Sequence, residues 1–152
     1  MIDNDTLVRL RSMRLSGMTE CFERLVEQVD QTGLLTPQVV QMAVDFEYER
    51  RRNSKLARLR RRANLAQPAA DVGDIRMLPG RSVDSEFIAR LAVGTYLLKH
   101  QDVVLQGPTG VGKTYVACAL GNKACQQGHT VLYLSASELF DQLRLGERIG
   151  DT

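Results

Sequence analysis

The apolar positions of the first third of the chain recur at helical spacing. Leu7, Leu10 and Met13 form one short stripe, and Gly17 is expected to interrupt it. Thr19 is placed to cap a second helix carrying Phe22, Leu25, Val26 and Val29 on one face, with Gly33 ending it. Thr36-Pro37 reads as an N-cap followed by proline at the first helical position, where the missing N–H costs nothing. Val39, Ala43 and Phe46 continue that face, and Leu56, Leu59 and Ala63 extend it. Glu47 and Arg51 form an i, i+4 pair in the favourable orientation.

The periodicity weakens after residue 63. Pro68, Gly73, Pro79 and Gly80 punctuate residues 64–83, which predicts a linker. Ile75, Met77 and Leu78 give that linker apolar side chains to pack along the following domain. From Asp84 onwards the pattern alternates. Phe87, Ile88, Leu91 and Ala92 predict a helix that weakens at Gly94, and Tyr96, Leu97 and Leu98 follow. Residues 103–105 (VVL) predict a short strand running into a glycine-rich loop. Residues 115–127 predict a helix stopped by Gly128, and residues 130–135 (TVLYLS) a second strand. Ser137 is placed to cap a last helix through Leu139, Phe140 and Leu143. Helix, strand, loop, helix, strand, helix is the opening order of an α/β domain with a parallel sheet. The expected layout is a helical domain at 1–63, a linker at 64–83 and an α/β domain at 84–152.

Composition narrows the class without naming a function. The 152 residues suffice for one ordinary domain, or a small domain and part of another. A content of 43% hydrophobic and 25% charged residues excludes global disorder. No apolar run approaches the roughly 18 residues that a membrane helix needs. The first residues carry Asp3, Asp5, Arg9, Arg11, Arg14 and Glu20 and no signal-peptide core, so a cytoplasmic location is expected. Cys21, Cys118 and Cys125 form no CxxC pair, and His100 and His129 are not spaced as metal ligands. The cysteines read as small buried hydrophobes and the histidines as surface residues.

The strongest chemical signal is at residues 107–114, GPTGVGKT, which match G-x-x-x-x-G-K-[S/T]. Gly107, Gly110 and Gly112 allow backbone conformations that a side chain would forbid. Successive N–H groups of the loop, which runs on through Pro108, Thr109 and Val111, can then point inward as a nest for phosphate oxygens. The following helix offers its free N–H groups and positive dipole end to the same anion. Lys113 is the point charge for the β- and γ-phosphates, and Thr114 supplies a hydroxyl to magnesium. The implied cofactors are ATP or GTP with Mg2+.

The net charge of +2 conceals a concentration of cations. Arg50, Arg51, Arg52, Lys55, Arg58, Arg60, Arg61 and Arg62 fall in one stretch that contains no acid. Such a helix face suits the phosphate backbone of a nucleic acid. Protein contact and a plain solvated helix remain open alternatives. Membrane insertion is disfavoured, because the interleaved apolar residues are few and include no Trp or Phe.

Four segments together resemble the IstB-like ATP-binding helper proteins of bacterial insertion sequences, AAA+ ATPases similar to the DnaC helicase loaders. They are L-x-x-L-R-x-M-R-L-S-G-M at 7–18, E-Y-E-R-R-R-N-S-K-L-A-R-L at 47–59, R-M-L-P-G-R-S at 76–82, and the long run around the loop at 103–133. The resemblance implies the first half of a three-layer P-loop NTPase (AAA+) domain and ATP bound at 107–114. It also implies non-specific DNA contact by the basic N-terminal part, oligomerisation, and a transposase as partner. The chain departs from the family pattern in having no apolar run that ends in paired acids, the Walker B motif. Hydrolysis needs magnesium held from a second side and a group to orient water. The expectation is therefore a truncated or fragmentary helper, marginally stable alone, that binds ATP without hydrolysing it unaided, with no catalytic residue assigned. A DnaC-like loader fragment, or a DNA-binding or interaction protein with a vestigial nucleotide site, are the alternatives.

Overall fold

The computed structural model describes residues 4–28, 36–75 and 85–150. They form α1 (Asn4–Ser12), α2 (Ser16–Gln28), α3 (Thr36–Ala63), a 3-10 turn (Val72–Asp74), α4 (Ser85–Val93), α5 (Thr95–Leu98), α6 (Lys113–Gln126) and α7 (Ala136–Gly150). The expectations for Val29, Gly33, Met77, Leu78, Pro79, Gly80 and Asp84 lie outside the described residues. The chain divides into two units, Met1–Lys55 and Leu56–Thr152, with the division inside α3.

In the first unit, α1 stops before Gly17. Arg14 takes left-handed backbone, with φ 59°. Its N–H donates to the Arg11 carbonyl at 2.9 Å, and the Leu15 N–H donates to the Leu10 carbonyl at 2.9 Å. These two bonds are the Schellman closure of a helix end. A side chain in left-handed backbone costs about 1 kcal/mol, offset here by the satisfied carbonyls. Gly17 has a different task. It lies in the first turn of α2, where a β-carbon would stand 2.7 Å from both the Glu47 Cα and the Phe46 carbonyl oxygen. Its bare backbone lets α2 cross closely over α3. Thr19 also lies inside α2 rather than at its cap, and its hydroxyl donates to the Leu15 carbonyl at 2.9 Å.

The close crossing brings a carboxylate to the start of α2. Glu47, only 7% exposed, accepts from the backbone N–H of Gly17 at 2.8 Å and of Met18 at 3.3 Å. Arg51 Nε donates to its other oxygen at 2.6 Å. The early N–H groups of a helix have no intrahelical partner, and its N-terminal end favours negative charge. A side chain from α3 therefore caps α2. Burial pushes the Glu47 carboxyl upward, but Arg51 and the two backbone donors outweigh it and hold its pKa below the ordinary value.

The second unit is built around α6. Six of its residues are buried: Cys118, Ala119, Leu120, Asn122, Ala124 and Cys125. Cys118, Ala119 and Cys125 join Leu59 and Ala63 from the end of α3, with Leu65 and Ala70, in one cluster. Leu120 joins Ile88 and Leu91 of α4 in another. Small side chains let α6 be buried on most of its circumference, as close packing requires. Asn122 Nδ2 donates to the carbonyls of Pro68 and Ala70, both at 2.8 Å, while its Oδ1 has no partner among the described residues. The Asp71 N–H donates to the Tyr115 hydroxyl at 3.3 Å. The stretch through residue 75, expected as a linker, is thus fastened along α6.

Helix ends in this unit follow the same Schellman pattern. Gly128 (φ 91°) ends α6 as expected, with the His129 N–H donating to the Ala124 carbonyl at 3.0 Å. His100 (φ 52°) ends α5, with the Gln101 N–H donating to the Tyr96 carbonyl at 2.9 Å. The last helix is capped two residues earlier than Ser137 predicts. Ser135 and Glu138 form a capping box: the Ser135 N–H donates to Glu138 Oε2 at 2.8 Å, and the Glu138 N–H donates to Ser135 Oγ at 3.2 Å.

The expected parallel sheet is not formed. Among the described residues there is no β-strand, and the two predicted strands, 103–105 and 130–135, carry no regular secondary structure. The α/β, three-layer P-loop NTPase reading is thereby corrected to a helical architecture. The physical reason is the lack of a ladder. A strand is defined by N–H and C=O groups paired with a neighbouring strand, and neither segment has one among the described residues. The Tyr133 N–H instead donates to the Ala63 carbonyl, at 2.8 Å, at the end of a helix. Val104 and Leu132 are left 74% and 62% exposed.

Candidate nucleotide and nucleic-acid sites

The glycine-rich loop stands on α6, the best-buried helix of its unit. Three glycines carry positive φ: Gly107 at 152°, Gly110 at 85° and Gly112 at 92°. At Gly110 and Gly112 a β-carbon would meet no neighbouring atom, so the requirement for glycine is conformational rather than steric. Gly112 is the N-cap of α6 and makes no side-chain cap bond. The first backbone N–H groups of α6 are therefore turned toward whatever sits before the helix. Gly107, Pro108, Thr109, Gly110, Val111, Gly112 and Thr114 are exposed, and Lys113 is half-buried.

Lys113 lies over the loop rather than away from it. Its Nζ donates to the carbonyls of Gly107 at 2.8 Å and Pro108 at 2.7 Å. The ammonium is therefore held beside the loop's concave backbone, where a phosphate oxygen could take over as acceptor. Thr114, in the first turn of α6, offers one hydroxyl. Among the described residues no group of three or more His, Cys, Asp or Glu side chains is arranged to hold a metal ion. The loop and Lys113 offer donors of the kind that suit phosphate.

A cavity adjoins the loop, and sequence reading missed it. It has a volume of about 420 Å3 and is walled by α4, the segment before the loop and the start of α6. Phe87 and Arg90 of α4 line it together with Gly112 and Lys113. The i, i+3 spacing of an aromatic and an arginine on α4 was the available signal. Tyr96, by contrast, packs against the cluster of Ile88, Leu91 and Leu120, and burial raises its pKa.

The basic stretch lies wholly on α3 and all eight cations are exposed. In the first unit three of them have acidic partners. Arg50 pairs with Glu20 at 2.9 Å, Arg51 with Glu47 at 2.6 Å and Arg52 with Glu49 at 3.9 Å. The charges at this end are therefore partly neutralised by acids outside the stretch. Lys55, and Arg58, Arg60, Arg61 and Arg62 of the second unit, form no salt bridge among the described residues. Arg60, Arg61 and Arg62 occupy the last turn of α3, where cations also stabilise the helix end. No described helix is long and apolar enough to cross a membrane.

Comparison with known sequences defines the class. Residues 8–152 match the family described as IstB-like ATP binding protein. The chain is 37% identical over 150 residues to an insertion sequence IS1162 protein of Pseudomonas fluorescens named for ATP binding, covering 99% of this chain and 65% of that relative. It is 35% identical over 150 residues to an insertion-sequence protein of Sinorhizobium fredii, also named for ATP binding, covering 99% and 60%. A counterpart from Mycobacterium tuberculosis is 29% identical over 137 residues, covering 90% and 54%. The chain therefore belongs to the IstB-like ATP-binding protein family. It spans 65% and 60% of the length of the first two of these relatives.

Proposed function

We propose that the chain binds ATP with magnesium at residues 107–114 and serves insertion-sequence transposition as a DNA-associated helper in the cytoplasm. The observation that carries this reading is Lys113 folded over a loop of positive-φ glycines at the uncapped start of α6. Family membership supplies ATP as the nucleotide. In this reading Gly107, Thr109, Gly110, Val111 and Gly112 present backbone N–H groups to the phosphates, and Pro108, which has no N–H, shapes the loop between them. Lys113 exchanges two carbonyl acceptors for phosphate oxygens, and Thr114 contacts magnesium. The proposal is for binding, and turnover is not assigned to any residue of this chain.

The unpaired cations Lys55, Arg58, Arg60, Arg61 and Arg62 are assigned to DNA phosphates, without sequence preference, and Arg50, Arg51 and Arg52 to a supporting part. Self-association and a transposase partner follow from the family resemblance. Calorimetric titration with Mg-ATP tests the first assignment: micromolar binding that Lys113→Ala abolishes is expected. Absence of binding to the native chain would leave an interaction protein with a vestigial site. DNA affinity should fall steeply with salt. Affinity unchanged when Arg60, Arg61 and Arg62 become alanine, with helicity retained, would sink the second assignment.

A further inference from the structure

We infer that the cavity beside the loop receives the base of the bound nucleotide, with Phe87 as its stacking surface; this rests on the phosphate-loop reading above. A nucleotide has one highly charged end and one flat, weakly polar end. The loop addresses only the charged end. The cavity is continuous with it, because Gly112 and Lys113 belong to both. Its volume of about 420 Å3 lies within the roughly 300–1,000 Å3 of small-molecule pockets. Its wall is mostly apolar, with Ile88, Leu105 and Val116 behind.

Phe87 and Val104 add a second observation. Both are large apolar side chains on the cavity wall, 46% and 74% exposed. A flat aromatic ligand would cover both. The Arg90 guanidinium lies 5.9 Å from the Phe87 ring centroid. It lies over the ring, pairs with Glu86 at 4.0 Å, and brings further donors that can meet ring nitrogens or ribose hydroxyls. Every base has a π-face, so stacking on an aromatic side chain tolerates base identity and contributes measurably to affinity. The polar lining (Arg90, Gln106, Lys113) includes no carboxylate. The site accordingly holds a purine chiefly by stacking rather than by reading its edge.

The test compares Mg-ATP with Mg-tripolyphosphate, which has the charge and lacks the base. Calorimetry on the full chain should give ATP at least tenfold tighter binding than tripolyphosphate. Phe87→Ala should erase that difference and leave tripolyphosphate affinity within twofold. Phe87→Leu, which keeps apolar volume without a π-face, should do nearly the same, and Phe87→Trp should keep the difference and show fluorescence quenching by ATP alone. Lys113→Ala should weaken both ligands. If Phe87→Ala and Phe87→Leu bind ATP as the native chain does, while Lys113→Ala still abolishes binding, the base lies elsewhere and only this inference falls. If Lys113→Ala changes neither ligand, the phosphate-loop reading falls first. Equal native affinity for ATP and tripolyphosphate also overturns the inference, and points to a protein segment as the occupant.

Discussion

The two units are held together by opposite means. The first depends on a buried carboxylate: Glu47 caps α2 from α3, and Gly17 provides the room. Among its described residues, only Leu10, Cys21 and Ala43 are buried apolar side chains. The second depends on a helix of small residues enclosed by two apolar clusters. A charged clasp is directional and sensitive to pH. An apolar seat is neither, and it responds instead to lost volume. The lesson is that similar helical patterns in one chain can be secured by unlike forces, and that perturbation should tell them apart.

The largest effect is expected at the centre of the apolar seat. Leu120→Ala should destabilise the second unit by about 2–5 kcal/mol, read as a lowered denaturant midpoint, with little change in hydrogen exchange along α2. Glu47→Ala should do the reverse, removing bonds to a charged group and costing about 2–3 kcal/mol, with protection lost at Gly17 and Met18. Acid should reproduce it. The Glu47 pKa is depressed on folding, so its contribution is complete above the unfolded carboxyl value, about 4.3. It is lost as pH falls through the lower folded value. The first unit should therefore melt on acidification while the Leu120 cluster persists; simultaneous loss would break the comparison. Asn122→Ala should cost about 1–3 kcal/mol, since it strips the donor from two carbonyls. The smallest effect belongs to α7, where Leu143 is 55% exposed. Leu143→Ala should stay within about 0.5 kcal/mol, measured by the same denaturation.

Much of this was legible along the chain. Helical periodicity located α2, α3, α4 and α6, and Gly128 ends α6 where it was expected to. The failures share a cause: local signals do not state their partners. Gly17 reads as a breaker because glycine usually is one, yet here it serves an approach by residues thirty positions away. Ser137 is a good cap in isolation, but Ser135 has the glutamate three residues on that completes the box. Residues 103–105 and 130–135 carry strand-like composition. Composition describes a surface suited to pairing, and no strand among the described residues pairs with them. The cavity left only a faint trace in the spacing of Phe87 and Arg90, because Phe87 and Val104 come to line one cavity only in three dimensions. α7 shows the same limit from the other side: Leu139, Phe140 and Leu143 make an amphipathic face, and all three remain exposed.

Asn122 and Tyr115 have a mechanical consequence. They pin residues 68–71 to the helix that begins at the phosphate loop. Tension applied through this stretch would load α6 at its first turn and its middle before it could straighten the stretch itself. The segment that reads as slack would then transmit force, and a pull arriving there would be felt within one helical turn of Lys113.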